Sequence, residues 1–436
     1  MLSNLSQTIY NLVDRIWLAR HAAESMASVS MVWPLVWLGI SVGFGVTVAG
    51  TALVSQHMGA EQEEEANKAA GQVLAFTMAL SLVLALGGSM AARLIFQLMS
   101  PPAELLAAGT LYLRIIYAAT PLTFATFVVT ALLNGVGDTV TPMILMFASV
   151  LLNVILDPLL IFGWGPFPEW GVGGAAIATI SARALAAVVG FGLLFSGRVG
   201  LHIRWRHLVP DWTRIRQIVS IGGMASVGQT GTALGFTVMQ RVLGQIGIAA
   251  INAFAIGNTT IGIILMPAMG LGQATATMVG QNLGAQKPKR AKQSAWAGIF
   301  LSTSILAAAA VVVILIRAFV IRIFMADPET TRIAYDGFMI VVFAFPLMGI
   351  IQIVMGVYQG SGHTFYSMFF GLFRLWALRV PLVLTLPFAC GLGALGVWWA
   401  MLASNFGAAA VSLGFFMSGN WMRRVIQGED LAGETP

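Results

Sequence analysis

Apolar runs long enough to cross a bilayer follow one another along nearly the whole chain, and the charged residues gather in the gaps between them. A hydrocarbon layer about 30 Å thick takes about 20 residues of helix. On that measure twelve spans are expected, at residues 2–19, 28–55, 67–97, 104–133, 139–163, 172–197, 215–243, 253–281, 291–325, 330–359, 365–390 and 393–421. The chain is 58% apolar and 9% charged, where a soluble domain carries about 25% charge. Lipid offers backbone polar groups no water, so the spans must be helices or a closed barrel. The short alternating strands of a barrel do not occur in the pattern. The expected class is therefore an all-α integral membrane protein. The first run barely spans, which reads as a helix truncated at Met1.

The net charge of +6 is no nucleic-acid signal, because the bases sit at the ends of spans. Arg198, Arg204, Arg206, Arg214 and Arg216 fall between spans six and seven; Lys287, Lys289, Arg290 and Lys292 fall between eight and nine; Arg423 and Arg424 open the tail. With an even number of helices all of these share one side. The positive-inside rule makes it the cytoplasmic side of the cell membrane, with both termini there. The acidic run Glu61, Glu63, Glu64 and Glu65 lies on the same side and reads as a solvated loop. Cys390 is alone, which excludes a disulfide framework. The five histidines are scattered, and no metal cluster, nucleophile elbow or phosphate loop is present, so an enzyme is not expected.

The chain repeats itself at an offset of 225 residues. Val54-Ser-Gln-His-Met-Gly-Ala60 matches Val279-Gly-Gln-Asn-Leu-Gly-Ala285, and Pro121-Leu122 matches Pro346-Leu347. Asn134-Gly-Val-Gly-Asp-Thr139 matches Gln359-Gly-Ser-Gly-His-Thr364, Gly171-Val172 matches Gly396-Val397, and Thr179 matches Ser404. Six helices per copy give both copies one orientation, a parallel repeat about an axis along the membrane normal. The expected layout is an N-terminal lobe at 1–200, a basic linker at 201–214, a C-terminal lobe at 215–424 and a cytoplasmic tail at 425–436. Two bundles rocking around a central cavity follow as the natural mechanics.

Most of the seventeen acids fall in loops or at helix ends. Asp14 in span one and Asp157 in span five do not. Asn153 precedes Asp157 by one helical turn and shares its face, as Tyr10 does for Asp14. Pro158 removes a backbone donor and leaves a carbonyl of the preceding turn without its usual partner. An acid in such a place is protonated or meets a cation. The repeat puts apolar residues near Met239 and Val380 at the counterparts, so the lobes differ chemically. Thr179 and Tyr112 add hydroxyls to an oxygen-rich set suited to H⁺ or Na⁺ rather than to a transition metal. The ordinary alternatives are an Asp paired with Arg15 or Arg183, and Tyr10, Tyr112 and Thr179 as packing residues. Gly43, Gly45, Gly50, Gly270 and Gly272 read as close-packing sites between helices. Met and Phe on a cavity wall would suit varied apolar ligands.

At these residues the chain resembles the MATE (multidrug and toxic compound extrusion) transporters, in the DinF-like branch. The carrying motifs are Asn-Leu-Val-Asp14-Arg-Ile-Trp, Asn153-x3-Asp157-Pro-Leu-Leu-Ile-Phe-Gly, Gly-Ala-Ala-Ile-Ala-Thr179, the Gln-x2-Gly-Ala loops at Gln56 and Gln281, and Gly-Val-Trp-Trp-Ala near Trp398. The resemblance covers essentially the whole chain. It implies a V-shaped pair of six-helix lobes, a monomer, exporting cationic or amphipathic organic compounds through the lipid membrane in exchange for H⁺ or Na⁺. It also implies a cation site at Asp14, Asn153, Asp157 and Thr179, with Tyr10 and Tyr112 in the same polar network. Two features depart from the family pattern. The second-lobe acid of the NorM branch is missing, since span seven reads Gln229-Thr-Gly-Thr and span ten carries Gln352. No proline stands early in span one.

The expected function is secondary antiport of drugs or toxic organic compounds, coupled through the first-lobe acids, with no cofactor and no nucleic acid. The alternative is a lipid-linked oligosaccharide flippase of the same superfamily. Such a protein would hold a pyrophosphate with cavity bases, and the buried bases expected here are few: Arg114, Arg183, Arg374 and Arg379.

Overall fold

The computed structural model describes residues 23–97, 103–164, 168–323 and 327–426. The expected first span, with Tyr10 and Asp14, lies outside the described residues. The others divide into two compact units, one ending at Ser226 and the other beginning at Val227. All regular structure among the described residues is helical.

In the first unit α1 (Ala23–Gly59), α2 (Glu63–Gln97), α3 (Ala103–Ala118), α4 (Thr120–Val136), α5 (Val140–Ile161) and α6 (Gly171–Ser196) are followed by a 3₁₀ turn at Trp205–Leu208. The helix α7 (Trp212–Ile246) contains the boundary between the units. The second unit continues with α8 (Ile248–Gly284), α9 (Pro288–Ile323), α10 (Pro328–Val341), α11 (Ala344–Gly360), α12 (Thr364–Leu372), a π-helical turn at Phe373–Arg379, α13 (Val380–Thr385) and α14 (Gly393–Ser418). Eight helices, counting Thr364–Thr385 as one, are long and apolar enough to cross a membrane. The pairs α3–α4 and α10–α11, bent by 46° and 56°, bring the number to ten. The expected seventh span is the exception. Its helix α7 has 35 residues but carries Arg214, Arg216, Gln217 and Arg241, and falls short in hydropathy.

The repeat is visible in the backbone. Both bent spans break just before Pro121 and Pro346. Among the described residues two non-glycine positions have a left-handed backbone, Glu61 at φ 60° and Gln286 at φ 56°, and they are 225 residues apart. Gly137 at φ 98° and Gly362 at φ 80° follow α4 and α11 at the same offset. Helix crossings repeat as well. A Cβ on Gly135 would lie 2.8 Å from Val54 Cβ, and one on Gly360 would lie 2.0 Å from Ala276 O. Backbone contact this close is the use lipid-embedded helices make of small residues. Gly45 serves likewise, since its Cβ would fall 2.1 Å from Gly222 O.

The last helix of each half corrects the expected pairing. α6 and α14 each have 26 residues, and they start 222 residues apart. Gly174 lies against Leu160 O as Gly396 lies against Pro387 N, again 222 apart. Gly396 therefore corresponds to Gly174 rather than Gly171, and Thr179 to Met401 rather than Ser404. The cause is a connection three residues shorter before α14.

The two interiors are filled from opposite sides. In the first unit Tyr112 of α3 packs in a cluster with Val32, Phe96, Tyr117 and Ala176. In the second, Gly337 stands at the position of Tyr112, and Trp398 at that of Ala176. Trp398 is fully buried and lies against Phe254 and Phe338 at centroid distances of 6.0 and 6.3 Å. A Cβ on Gly337 would sit 2.3 Å from its ring. One large and one small residue meet in each half, with the roles exchanged.

The acidic run is largely exposed, as expected, but two of its members are also paired. Glu64 pairs with Arg206 at 2.8 Å and meets His207 Nε2 at 3.2 Å, and Glu65 pairs with Arg214. Beneath them buried Gln72 donates to His207 O at 2.8 Å and to Val209 O, and accepts from Asp211 N at 2.8 Å. The basic connection is thus docked on α2 by charge outside and by carboxamide bonds inside.

Candidate cation site

Helix α5 is apolar enough to need no solvent, and it carries a polar stripe along one face. Ser149, Asn153 and Asp157 recur every four residues, and all three are buried. Asn153 and Asp157 are both 0% exposed, and Asn153 Nδ2 donates to Asp157 Oδ1 at 3.0 Å. Asn153 Oδ1 is buried without a donor. Pro158 lies within the helix and lacks the N–H that Val154 O would accept. Oxygen atoms therefore dominate this turn: a carboxylate, a carboxamide oxygen and a backbone carbonyl.

Neighbouring helices close the stripe off. Gly174 brings α6 against the carbonyl of Leu160. Thr179 is buried on α6, beyond a face of small residues at Ala175, Ala176 and Ala178. Tyr112 is buried on α3 in the cluster that includes Ala176. A cavity of about 70 Å³ opens among α4, α5 and α6, lined by Thr126, Phe127, Thr130, Ser149 and Arg183. Arg183 donates to Thr123 Oγ1 at 2.9 Å, which holds its head on the α4 side of this cavity.

The structure thus joins Asn153 to Asp157 and buries Thr179 and Tyr112 in the same unit. It adds Ser149, which the sequence reading passed over although four-residue spacing from Asn153 would have found it. The expected buried bases need correction. Arg114 is exposed on α3, Arg183 and Arg374 are half-buried, and Arg379 alone of the four is fully buried. No group of three His, Cys, Asp or Glu able to hold a metal occurs among the described residues. The stripe suits a proton, or a hard cation held by neutral and singly charged oxygens.

A sequence profile of the family described as MatE matches residues 1–159 and again 225–385, one match in each half. The chain belongs to the MATE family. Among MATE relatives, a probable multidrug resistance protein, YoeA of Bacillus subtilis (strain 168), is 30% identical over 406 residues, covering 91% of this chain and 87% of the relative. A FAD transporter of Shewanella oneidensis is 25% identical over 380 residues, covering 86% and 82%. A solved structure described as the outward-facing conformation of a multidrug resistance MATE family transporter superposes with a TM-score of 0.90 at 22% identity, covering 97% of this chain and 94% of that one. The protein is accordingly a multi-pass membrane transporter with the MATE fold of twelve helices in two six-helix lobes.

Proposed function

We propose that this MATE transporter is a secondary antiporter in the cell membrane. It exports cationic, amphipathic or otherwise toxic organic compounds in exchange for H⁺ or Na⁺, working as a monomer with both termini cytoplasmic. The observation that carries this is the Asn153–Asp157 pair, two wholly buried polar side chains joined at 3.0 Å inside a membrane span. Intramembrane acids are retained for function.

Asp157 is the coupling group and Asn153 its positioning partner. The donor from Asn153 Nδ2 stabilises the carboxylate. Protonation of Asp157 would supply a donor for the orphan Asn153 Oδ1, so both charge and hydrogen bonding change with the coupling ion. A sodium ion would instead take the same two side-chain oxygens as ligands. Asp14, Thr179, Tyr10 and Tyr112 complete the set by resemblance to the family. Coupling follows if the cation binds more tightly in one facing state than in the other, since only a differential affinity shifts a conformational equilibrium.

The test is efflux of an organic cation dye from proteoliposomes with pH and Na⁺ gradients imposed separately. Wild type should respond to one gradient, and Asp157→Asn to neither. Gradient-driven efflux that survives intact in Asp157→Asn overturns the assignment.

A further inference from the structure

The second unit buries a positive charge for which its described residues supply no counter-ion. Arg379 ends the π-helical turn Phe373–Arg379 and is 3% exposed. Its Nε donates to Ser404 Oγ of α14 at 3.0 Å, and that hydroxyl donates onward to Met401 O at 3.0 Å. Its Nη2 is buried with no acceptor. Arg374 stands five residues earlier in the same turn, its Nε also buried with no acceptor. Backbone bonds in a π turn run between residues five apart, which stacks these two arginines on one face.

Among the described residues of the unit no buried acid supplies the missing charge. From Val227 to Ile426 the acids are Asp327, Glu329 and Asp336, all exposed at the start of α10 or on it. No ion pair among the described residues includes Arg374 or Arg379. A guanidinium does not escape by losing its proton, and a single hydroxyl leaves its charge uncompensated. The turn is nevertheless built firmly. Trp376 Nε1 donates to Gly231 O of α7 at 2.9 Å, and a Cβ on Gly235 would lie 2.2 Å from Leu375. Packing against α7 on one side and bonding to α14 on the other fix where the guanidinium points. π turns are rare and recur at functional sites.

We propose that Arg379 and Arg374, with Ser404, form an oxyanion site in the second unit that takes the carboxylate or phosphate of an organic ligand. Planar forked donors match both groups, and a buried cation already desolvated binds an anion strongly. The ligand is either soluble cargo or a lipid headgroup. As cargo it would narrow the proposed substrates to compounds that carry an anionic group, and to that extent the inference rests on the transport reading. The binding itself needs no gradient.

The experiment follows thermal unfolding of the purified full chain in neutral detergent with inorganic phosphate or benzoate, against chloride at equal ionic strength. A second arm uses phosphatidylcholine vesicles with and without phosphatidylglycerol. A rise in midpoint with the soluble oxyanions supports cargo; a rise only with phosphatidylglycerol supports a headgroup. In either arm Arg379→Gln should weaken apparent affinity roughly tenfold or more. Arg379→Lys should keep part of it as a point charge, and Arg374→Gln should show a smaller loss. Without oxyanion, Arg379→Met should be as stable as wild type or more so, because it removes an uncompensated buried charge. The proposal is overturned by no oxyanion-specific rise in either arm, by an equal rise in Arg379→Gln, or by an Arg379→Met chain that is markedly less stable. Should Arg379→Gln fail to fold, an unchanged response in Arg374→Gln decides against it. Asp157→Asn should retain the oxyanion response, so failure of the coupling assignment and failure of this one are told apart.

Discussion

Helix α5 and the segment Thr364–Thr385 occupy the same place in the two halves of one repeat, yet their chemistry is opposite. The first is continuous α-helix and buries a carboxylate with a carboxamide bonded to it. The second passes through a π turn and buries a guanidinium bonded to a hydroxyl. Arg379 falls within one residue of the position that corresponds to Asn153. Around them the scaffold is kept: the left-handed residues Glu61 and Gln286, the glycines after α4 and α11, and the glycine crossings at Gly135 and Gly360. Duplication has preserved the parts that let helices turn and approach, and has let the buried charge diverge in sign.

The largest expected effect breaks that difference at its acidic end. Asp157→Asn should reduce gradient-driven efflux to the passive leak while the chain still folds, because a carboxamide is cheaper to bury than a carboxylate. Asn153→Leu should weaken cation dependence roughly tenfold, the worth of one charge-assisted hydrogen bond. Dye efflux as a function of H⁺ or Na⁺ concentration checks both.

Next comes the exchange of large and small residues in the two interiors. Trp398→Ala should cost about 3–5 kcal/mol in unfolding free energy, as truncation of buried aromatics does. The double substitution Trp398→Ala with Gly337→Tyr rebuilds the arrangement of the first half and should recover part of the loss. No recovery would mean that the two interiors are not interchangeable packings.

A smaller effect concerns the connection held on the first half. Gln72→Leu strands two carbonyls and one N–H and should cost about 1–3 kcal/mol. Arg206→Ala breaks only an exposed pair and should cost less than about 1 kcal/mol. Unfolding midpoints, and protease cleavage between Arg198 and Asp211, separate the two.

The smallest effect is at the N-cap of α10. Thr330 hydroxyl and backbone donors hold the Asp327 carboxyl below the usual carboxylate range. Its folded value is thus the lower one. The stability it adds is complete above its unfolded value and is lost as pH falls through the folded one. Asp327→Asn should flatten that acid limb of midpoint against pH.

Much of this was legible in the sequence because lipid leaves few choices. Apolar run length placed most of the helices, while the bends before Pro121 and Pro346, which served only as landmarks of the repeat, appeared in the structure. The fixed offset exposed the repeat, and the Asn153–Asp157 spacing located the bonded pair. What escaped did so for physical reasons. A three-residue deletion before α14 shifts the register of the last helix, and the helix starts together with the close approaches of Gly174 and Gly396 to the preceding segment reveal it. That the ring of Tyr112 has a small residue opposite it, with large and small exchanged at Gly337 and Trp398, shows only in the packed clusters. The pairing of Glu64 and Glu65 is hidden because their partners, Arg206 and Arg214, lie 142 and 149 residues away. Arg379 was visible as a base, but its burial depends on a π turn that apolar spacing does not announce.

The prolines at the two bent spans carry a mechanical consequence. In oil a helix that opens a backbone bond finds no solvent to take its place. Pro121 and Pro346 have no N–H to lose, and Leu122 and Phe345 beside them already bond at short range, to Ala119 O at 3.0 Å and Val342 O at 3.2 Å. Each joint therefore has one donor fewer for bending to strand than an unbroken helix has, which lowers the penalty for changing its angle.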